Sequence, residues 1–366
     1  MASPLRIGIV GVGNISGIYL QNLGRYASTE IVAVADLDEA RAKDVADRNG
    51  IPTSSSPDQL LANPDVELVL NLTIPKAHGT VAIAALEAGK HVYNEKPLAV
   101  SREDGRRMVE IAKEKGLRVG GAPDTFLGGA HQTARRAIDA GMIGEPVAAQ
   151  AFMMGRGHES WHPSPEFYYE KGGGPMFDMG PYYLTALVNM IGGVSRVTGS
   201  ARITFPTRTI TSQPKHGKVI DVETPTHISG VMDFSNGAVG EMTQSFDVYH
   251  SPMPPIVIYG SEGTLLVPDP NGFGGEVKVR GAKDDDWSVV ENLHAYNGND
   301  RGIGVLDIAD AIRTGRPHRA SGELAYHVLD LMHAFHDASA EERHVQVSSA
   351  VERPEAMPVE GLPGEA

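Results

Sequence analysis

LRIGIVGVGNISG, residues 5–17, runs from an apolar strand through a glycine turn into the start of a helix. Ile7, Ile9 and Val10 form an apolar run of strand length, and Gly11, Val12 and Gly13 follow without a spacer. Asn14, Ile15, Ser16 and Gly17 then lead into Ile18, Tyr19 and Leu20, a pattern compatible with a helix. Glycines at a strand-to-helix handover let the backbone approach a pyrophosphate and offer it free N–H groups. Ser16 takes the third place of G-x-G-x-x-G/A, an imperfect match that keeps a small side chain. Taken alone, the loop is equally an ordinary glycine-rich turn. The continuation separates the two. Residues 30–35, EIVAVA, make a second buried-type strand that ends on Asp36, about twenty residues past the loop as a dinucleotide fingerprint requires. A carboxylate there accepts the adenine-ribose hydroxyls and repels a 2′-phosphate. NAD is therefore the expected cofactor, with NADP the alternative because Arg41 lies close by in sequence.

The chain has 366 residues, enough for two domains with cores of their own. Apolar content of 41% and charged content of 21% are those of a soluble globular protein. A formal net charge of −14 argues against nucleic acid or an anionic membrane as partner. With no cysteine, disulfides, thiolate metal sites and cysteine nucleophiles are excluded. MASPLRIGIV runs into a strand within a few residues, without twin arginines or a long apolar leader. No run approaches the ~20 apolar residues of a membrane span, so a cytoplasmic protein is expected.

Beyond Asp36, residues 38–49 read as a helix stopped by Gly50 and Pro52, and residues 66–72 as a third strand closed by Thr73-Ile74-Pro75. Residues 77–88 predict a helix, 91–93 a strand, 101–115 a helix capped by Ser101, and 117–119 a short strand. Such alternation predicts an α/β fold with a parallel, doubly wound Rossmann sheet, whose ligands lie beyond the carboxyl ends of the strands. Near residue 125 the rhythm changes. After a helix over 130–140, strands dominate, with hairpin turns at Asn236-Gly237 and at 260–263, and helices over 303–313 and 323–340 close the domain. The expected organisation is a Rossmann domain over 1–124, a substrate-binding and oligomerisation domain over 125–352, and a tail over 353–366. An open, mostly antiparallel sheet in the second domain leaves a face and edges to cover, which predicts a homodimer or homotetramer.

Two further stretches carry chemistry. Glu95-Lys96-Pro97 ends the fourth strand, beside the place where a nicotinamide would lie. GGG-x-x-x-Asp178-x-x-x-Tyr182 sets an acid and a phenol four residues apart; a helix starting at Asp178 would put them on one face, with Pro181 in its first turn. With GVGNIS and with Thr73, Pro75 and His78, these residues resemble the glucose–fructose oxidoreductase and inositol dehydrogenase family, Gfo/Idh/MocA, over essentially the whole chain. The resemblance implies an N-terminal Rossmann domain, a C-terminal α/β domain with a large sheet, and a tightly held NAD(P). It also implies a sugar, polyol or inositol substrate. Carried onto this sequence, it makes Lys96, Asp178 and Tyr182 the catalytic group. Gly11, Gly13, Asn14, Ile15, Asp36, Thr73, Pro75, His78, Glu95 and Lys96 become the cofactor contacts. The family more often carries histidine where Tyr182 stands. It also often has Asn and Arg in the segment that here reads Pro123-Asp124-Thr125-Phe126.

His158-Glu159-Ser160-Trp161-His162 matches H-E-x-x-H, but a zinc site needs both histidines on one helical face. Gly155 and Gly157 before it, and Pro163 and Pro165 after it, oppose a helix, so no metal is expected. His158, Trp161 and His162 read instead as a loop able to stack on or hydrogen-bond a polyol. The leading function is hydride transfer between nicotinamide and a secondary alcohol or ketone of a sugar or cyclitol. Its rival is redox-neutral, NAD-dependent cleavage of a glycoside by transient oxidation and elimination.

Overall fold

A computed structural model of the chain describes residues 3–363. The chain forms two compact units. One takes the chain up to Gly128, His294–Leu329 and the segment from Pro354; the other takes Gly129–Leu293 and Asp330–Arg353.

The first unit is built on six strands: β1 (Leu5–Val10), β2 (Thr29–Ala35), β3 (Thr53–Ser55), β4 (Leu68–Asn71), β5 (His91–Asn94) and β6 (Val119–Gly121). Every pairing is parallel, in the order β3-β2-β1-β4-β5-β6. Helices α1 (Ser16–Leu23), α2 (Glu39–Asn49), α3 (Pro57–Ala62), α4 (Pro75–Glu87) and α5 (Arg102–Lys115) supply the crossovers. Parallel strands covered on both faces read as near-continuous apolar runs, and Leu68, Val69 and Leu70 of β4 are all buried. Val69 packs with Ala82, Met108 and Ile111 from the covering helices. Strand order reverses between β1 and β4, which opens the crevice where such sheets bind dinucleotides. Local sequence sets the helix ends. Asp38 and Ser101 side chains accept the amides of Arg41 and Asp104 at the starts of α2 and α5, and the left-handed Gly50 and Gly116 end them.

The second unit begins with α6 (Gly129–Asp139), β7 (Pro146–Met154), α7 (Gly174–Asp178), α8 (Gly180–Met190) and β8 (Val194–Arg202). A small ribbon, β9 (Thr207–Thr209) and β10 (Val219–Asp221), stands apart from the main sheet. Then come β11 (His227–Phe234), β12 (Val239–Ser245), β13 (Ile256–Gly260), β14 (Gly263–Val267), β15 (Lys278–Gly281) and β16 (Ser288–Val289), with β17 (Val345–Gln346) last. The nine-stranded order is β16-β15-β14-β13-β7-β12-β11-β8-β17, antiparallel except where β7 lies parallel to β12. Both expected hairpins are present. Gly237, at φ +92°, turns β11 into β12, and residues 260–263 turn β13 into β14.

After this sheet the chain returns to the first unit through α9 (Ile303–Thr314) and the start of α10 (Gly322–Glu341). Reading 125–352 as one domain did not anticipate that return. Nor is the segment from Pro354 to Pro363 a loose tail. Met357 and Leu362 are buried, Leu362 N donates to Tyr296 Oη at 2.9 Å, and Arg319 donates to the carbonyls of Glu355 and Ala356. The apolar residues spaced among its prolines supply the anchorage that its composition conceals. Residues 364–366 lie outside the described residues. No helix among the described residues is long and apolar enough to cross a membrane.

Candidate active site

In the first unit, the expected cofactor residues gather at the carboxyl ends of the strands. Gly11 sits at φ +93°, a conformation open to glycine, and a Cβ on it would lie 2.8 Å from the backbone of Leu72 and Thr73. Gly13 is exposed, and a Cβ there would meet no protein atom within 4 Å. Asn14 is exposed and Ile15 is the N-cap residue of α1. Asp36 is fixed by the turn itself: Val12 N donates to Oδ2 and Asp38 N to Oδ1, both at 3.0 Å. Arg41 is paired with Asp38 at 3.2 Å and stands 3.8 Å from Asp36, so the neighbouring cation is already shared between two carboxylates. A backbone turn with open space beside Gly13, leading into a helix N-terminus and braced by an oriented carboxylate, meets the requirements of NAD.

Behind this turn the remaining residues form a brace. Thr73 Oγ1 donates to Asn71 Oδ1 at 2.7 Å, and Pro75 opens α4. His78 is buried, with Nδ1 2.6 Å from Pro97 O and Nε2 3.0 Å from Thr73 O. Burial holds its pKa below the ordinary value, while the two carbonyl contacts pull the other way. His78 thus ties the loop after β4 to the loop after β5. Glu95 accepts from Tyr19 Oη at 2.9 Å and from the Lys96 amide at 2.8 Å, and the Lys96–Pro97 peptide is cis.

The departure at residues 123–126 has a structural counterpart. Asp124 is 1% exposed, and its Oδ2 accepts the amides of Gly302 at 2.8 Å and Gly304 at 3.0 Å, where α9 begins. Burial pushes its pKa up to about 6 against the pull of those two amides. It anchors the returning segment from inside the first unit.

In the second unit, Asp178 and Tyr182 do not share one helix. Asp178 is the last residue of α7, the chain breaks at Met179, and α8 starts at Gly180 with Pro181 in its first turn. Glycine at 180, with the proline that follows it, resets the helix two residues later than the spacing suggests. Tyr182 is 6% exposed, in the first turn of α8. His158 Nε2 lies 3.3 Å from Asp178 Oδ2, a contact that no local pattern announces. The His158 ring stacks on Tyr168 with centroids 3.8 Å apart and meets Phe246 edge-on at 4.8 Å. Trp161 is 62% exposed, and the His162 ring packs edge-on against both Trp161 and Tyr168.

The H-E-x-x-H segment is a single short turn over His158–Ser160. Its acid is spoken for: Glu159 accepts from Tyr169 Oη and from Arg208 Nη1 at 2.8 Å. Burial pushes the Glu159 carboxyl up, but the bonds from Tyr169 and Arg208 outweigh it and hold its pKa below the usual carboxylate value. Arg208 also engages Asp247, whose other oxygen accepts from Thr226 at 2.8 Å. This buried network pins the aromatic loop to the β9–β10 ribbon. Sequence reasoning missed it, although Arg208 falls on the inward side of alternating Thr-Arg-Thr and a charge there requires acids to meet it.

The Gfo/Idh/MocA oxidoreductase profile, described as an NAD-binding Rossmann fold, matches residues 5–121, and that family's C-terminal domain matches residues 131–266. Among curated relatives, 1,5-anhydro-D-fructose reductase of Ensifer adhaerens is 36% identical over 148 residues. That match covers 40% of this chain and 44% of the relative, less than half its length. The scyllo-inositol 2-dehydrogenase (NAD(+)) of Bacillus subtilis is 24% identical over 86% of this chain and 88% of its own. Among solved structures, levoglucosan dehydrogenase in complex with NADH shares the fold with a TM-score of 0.83 at 22% identity, covering 94% of this chain and 100% of that one. An NAD binding oxidoreductase from Klebsiella pneumoniae likewise scores 0.83, at 24% identity, over 95% and 100% of the two chains. With both domains matched in order over more than half the chain, and with a glycine turn and carboxylate that fit NAD, this protein belongs to the Gfo/Idh/MocA family of NAD-binding oxidoreductases.

Proposed function

We propose that the protein is an NAD-dependent dehydrogenase that oxidises a secondary alcohol of a sugar, sugar derivative or inositol, or reduces the corresponding ketone. The observation that carries this reading is Asp178. Its carboxylate is steadied by His158 within a loop of aromatic rings, the kind of surface that suits a hydroxylated ring. The names of the dehydrogenase and reductase relatives support the same substrate class.

NAD+, when bound, supplies a hydride acceptor for the carbinol carbon. Gly11, Gly13, Asn14 and Ile15 present backbone to it, and Asp36 favours it over NADP by accepting ribose hydroxyls. Thr73, Pro75, His78 and Glu95 support that contact from the neighbouring strand ends. Lys96, Asp178 and Tyr182 form the proposed catalytic group. Tyr182 Oη takes the hydroxyl proton, and the Lys96 Nζ charge favours the phenolate that must take it. Asp178 accepts a hydrogen bond from a hydroxyl of the substrate and fixes its orientation. Trp161 and His162 offer further contacts to the ring.

A screen of inositols, aldoses and glycosides, followed by NADH absorbance, tests this reading. Net NADH is expected with at least one polyol. Glycoside cleavage without net NADH would replace oxidation by the redox-neutral alternative.

A further inference from the structure

The second unit contains a cavity of about 400 Å³ whose wall includes His158, Met179, Arg156, Phe246, Met253 and Asp269. It lies within the size range of small-molecule sites, about 300–1,000 Å³. His158 contacts Asp178 and Met179 follows it in the chain, so the cavity adjoins the acid assigned to the substrate.

Arg156 is the unusual member of this wall. Its guanidinium carbon lies 4.9 Å from the centroid of the Phe205 ring and 4.6 Å from that of Tyr249. Nη1 is buried with no hydrogen-bond partner, and among the described residues no carboxylate pairs with this side chain. The backbone bridge between Arg156 and Asp247 brings an acid close in the fold, yet that carboxylate turns to Arg208 and Thr226. Arg208 has two carboxylates and Arg156 has none. A partly desolvated guanidinium without an anion is costly. Held against aromatic faces, it keeps its N–H fork in plane for bidentate contact with a carboxylate.

We propose that the substrate carries a carboxylate and that Arg156 receives it, so that a sugar acid or glycosiduronate occupies this cavity. The inference rests on the dehydrogenase reading above and narrows its substrate class. Asp269 accepts from Tyr183 Oη at 3.5 Å and from Asn271 N at 3.0 Å. With Asp178 it offers acceptors to ring hydroxyls and repels an anion placed anywhere but at Arg156. Orientation of the ring follows from that asymmetry. A phosphate ester would also satisfy the fork, but its greater charge meets greater repulsion from Asp269.

Protein loaded with NAD+ is titrated calorimetrically with matched pairs of methyl glycosides and methyl glycosiduronates in the gluco, galacto and manno series, and with the sugar 6-phosphates. NADH formation is followed for the same compounds. In at least one series the glycosiduronate should bind about 10- to 100-fold more tightly than its neutral partner, the span expected of a charge-assisted pair. Arg156→Gln should abolish that preference, and Arg156→Lys, which keeps the charge and loses the fork, should keep only part of it. The lysine variant also serves if the glutamine variant fails to fold. Equal binding of neutral and acidic sugars would overturn the proposal, as would a preference untouched by either variant or a preference for phosphate. Oxidation confined to neutral sugars would overturn it while leaving the dehydrogenase reading standing. Glycosiduronates bound through Arg156 without NADH from any sugar would uphold this site and remove the dehydrogenase reading.

Discussion

Tyr182 is buried in the first turn of α8, and a free phenol, with a pKa near ~10, is a poor base at neutral pH. The proposed proton transfer therefore depends on a cation, the part given to Lys96. Tyr182→Phe should lower kcat by ~10²- to 10⁴-fold, the usual cost of losing a general base, with NAD affinity nearly unchanged. Lys96→Ala should do at least equal harm, and the double variant should be little worse than the worse single one, because the two act as a unit. Near-full activity in Tyr182→Phe would move the role to another group. Asp124 yields a prediction about stability. Its folded pKa, about 6, lies above the usual carboxylate value, so the folded state favours its protonated form. The stability it contributes is present below the unfolded pKa and lost as pH rises through about 6. From pH ~4 to ~7 the stability of wild type relative to Asp124→Asn should fall by on the order of 2–3 kcal/mol. Thermal melts with the same gap at both pH values would contradict this.

At the scale of elements, the turn from β1 into α1 separates folding from binding. Alanine at Gly11 meets both a forbidden φ and backbone atoms at 2.8 Å, so Gly11→Ala should destabilise the protein by ~1–3 kcal/mol and lose NAD as well. Alanine at Gly13 meets no protein atom, so Gly13→Ala should melt like wild type and lose NAD affinity alone. A Gly13→Ala protein that binds NAD normally by fluorescence titration would show that the cofactor does not use this turn. The turn was legible because strand, glycines and acid are close in sequence and each has a local reason. β3 and α3 give a weak signal, since short polar strands lack periodicity, although Ser56 with Gln59 is a capping box visible in the sequence. The break at Met179 was hidden because Pro181 is tolerated by the helix starting at Asp178 and by the one starting at Gly180. His158 with Asp178, Glu159 with Arg208, and Asp124 with Gly302 join residues from 20 to 178 positions apart. Spacing along a chain carries no information about such contacts until the fold is known.

For the whole molecule, the wide sheet of the second unit sets the expectation of association. Val231 and Val239 remain 38% and 47% exposed on adjacent strands, beside a side-chain bond between Gln150 and Glu241. A half-apolar sheet face of this kind favours a symmetric partner. Light scattering at micromolar concentration should give a multiple of the chain mass; a single-chain mass across that range would exclude the homo-oligomer. In the proposed reaction one substrate carbon passes its hydrogen, as hydride, to NAD, while this chain removes the hydroxyl proton. Its most direct test uses the best polyol from the screen, deuterated at the carbinol carbon, with product NADH and ketone analysed by mass spectrometry. One deuterium is expected in the reduced nicotinamide for each ketone formed. Deuterium returned to a cleaved sugar, or released to water with no reduced nicotinamide, would contradict it.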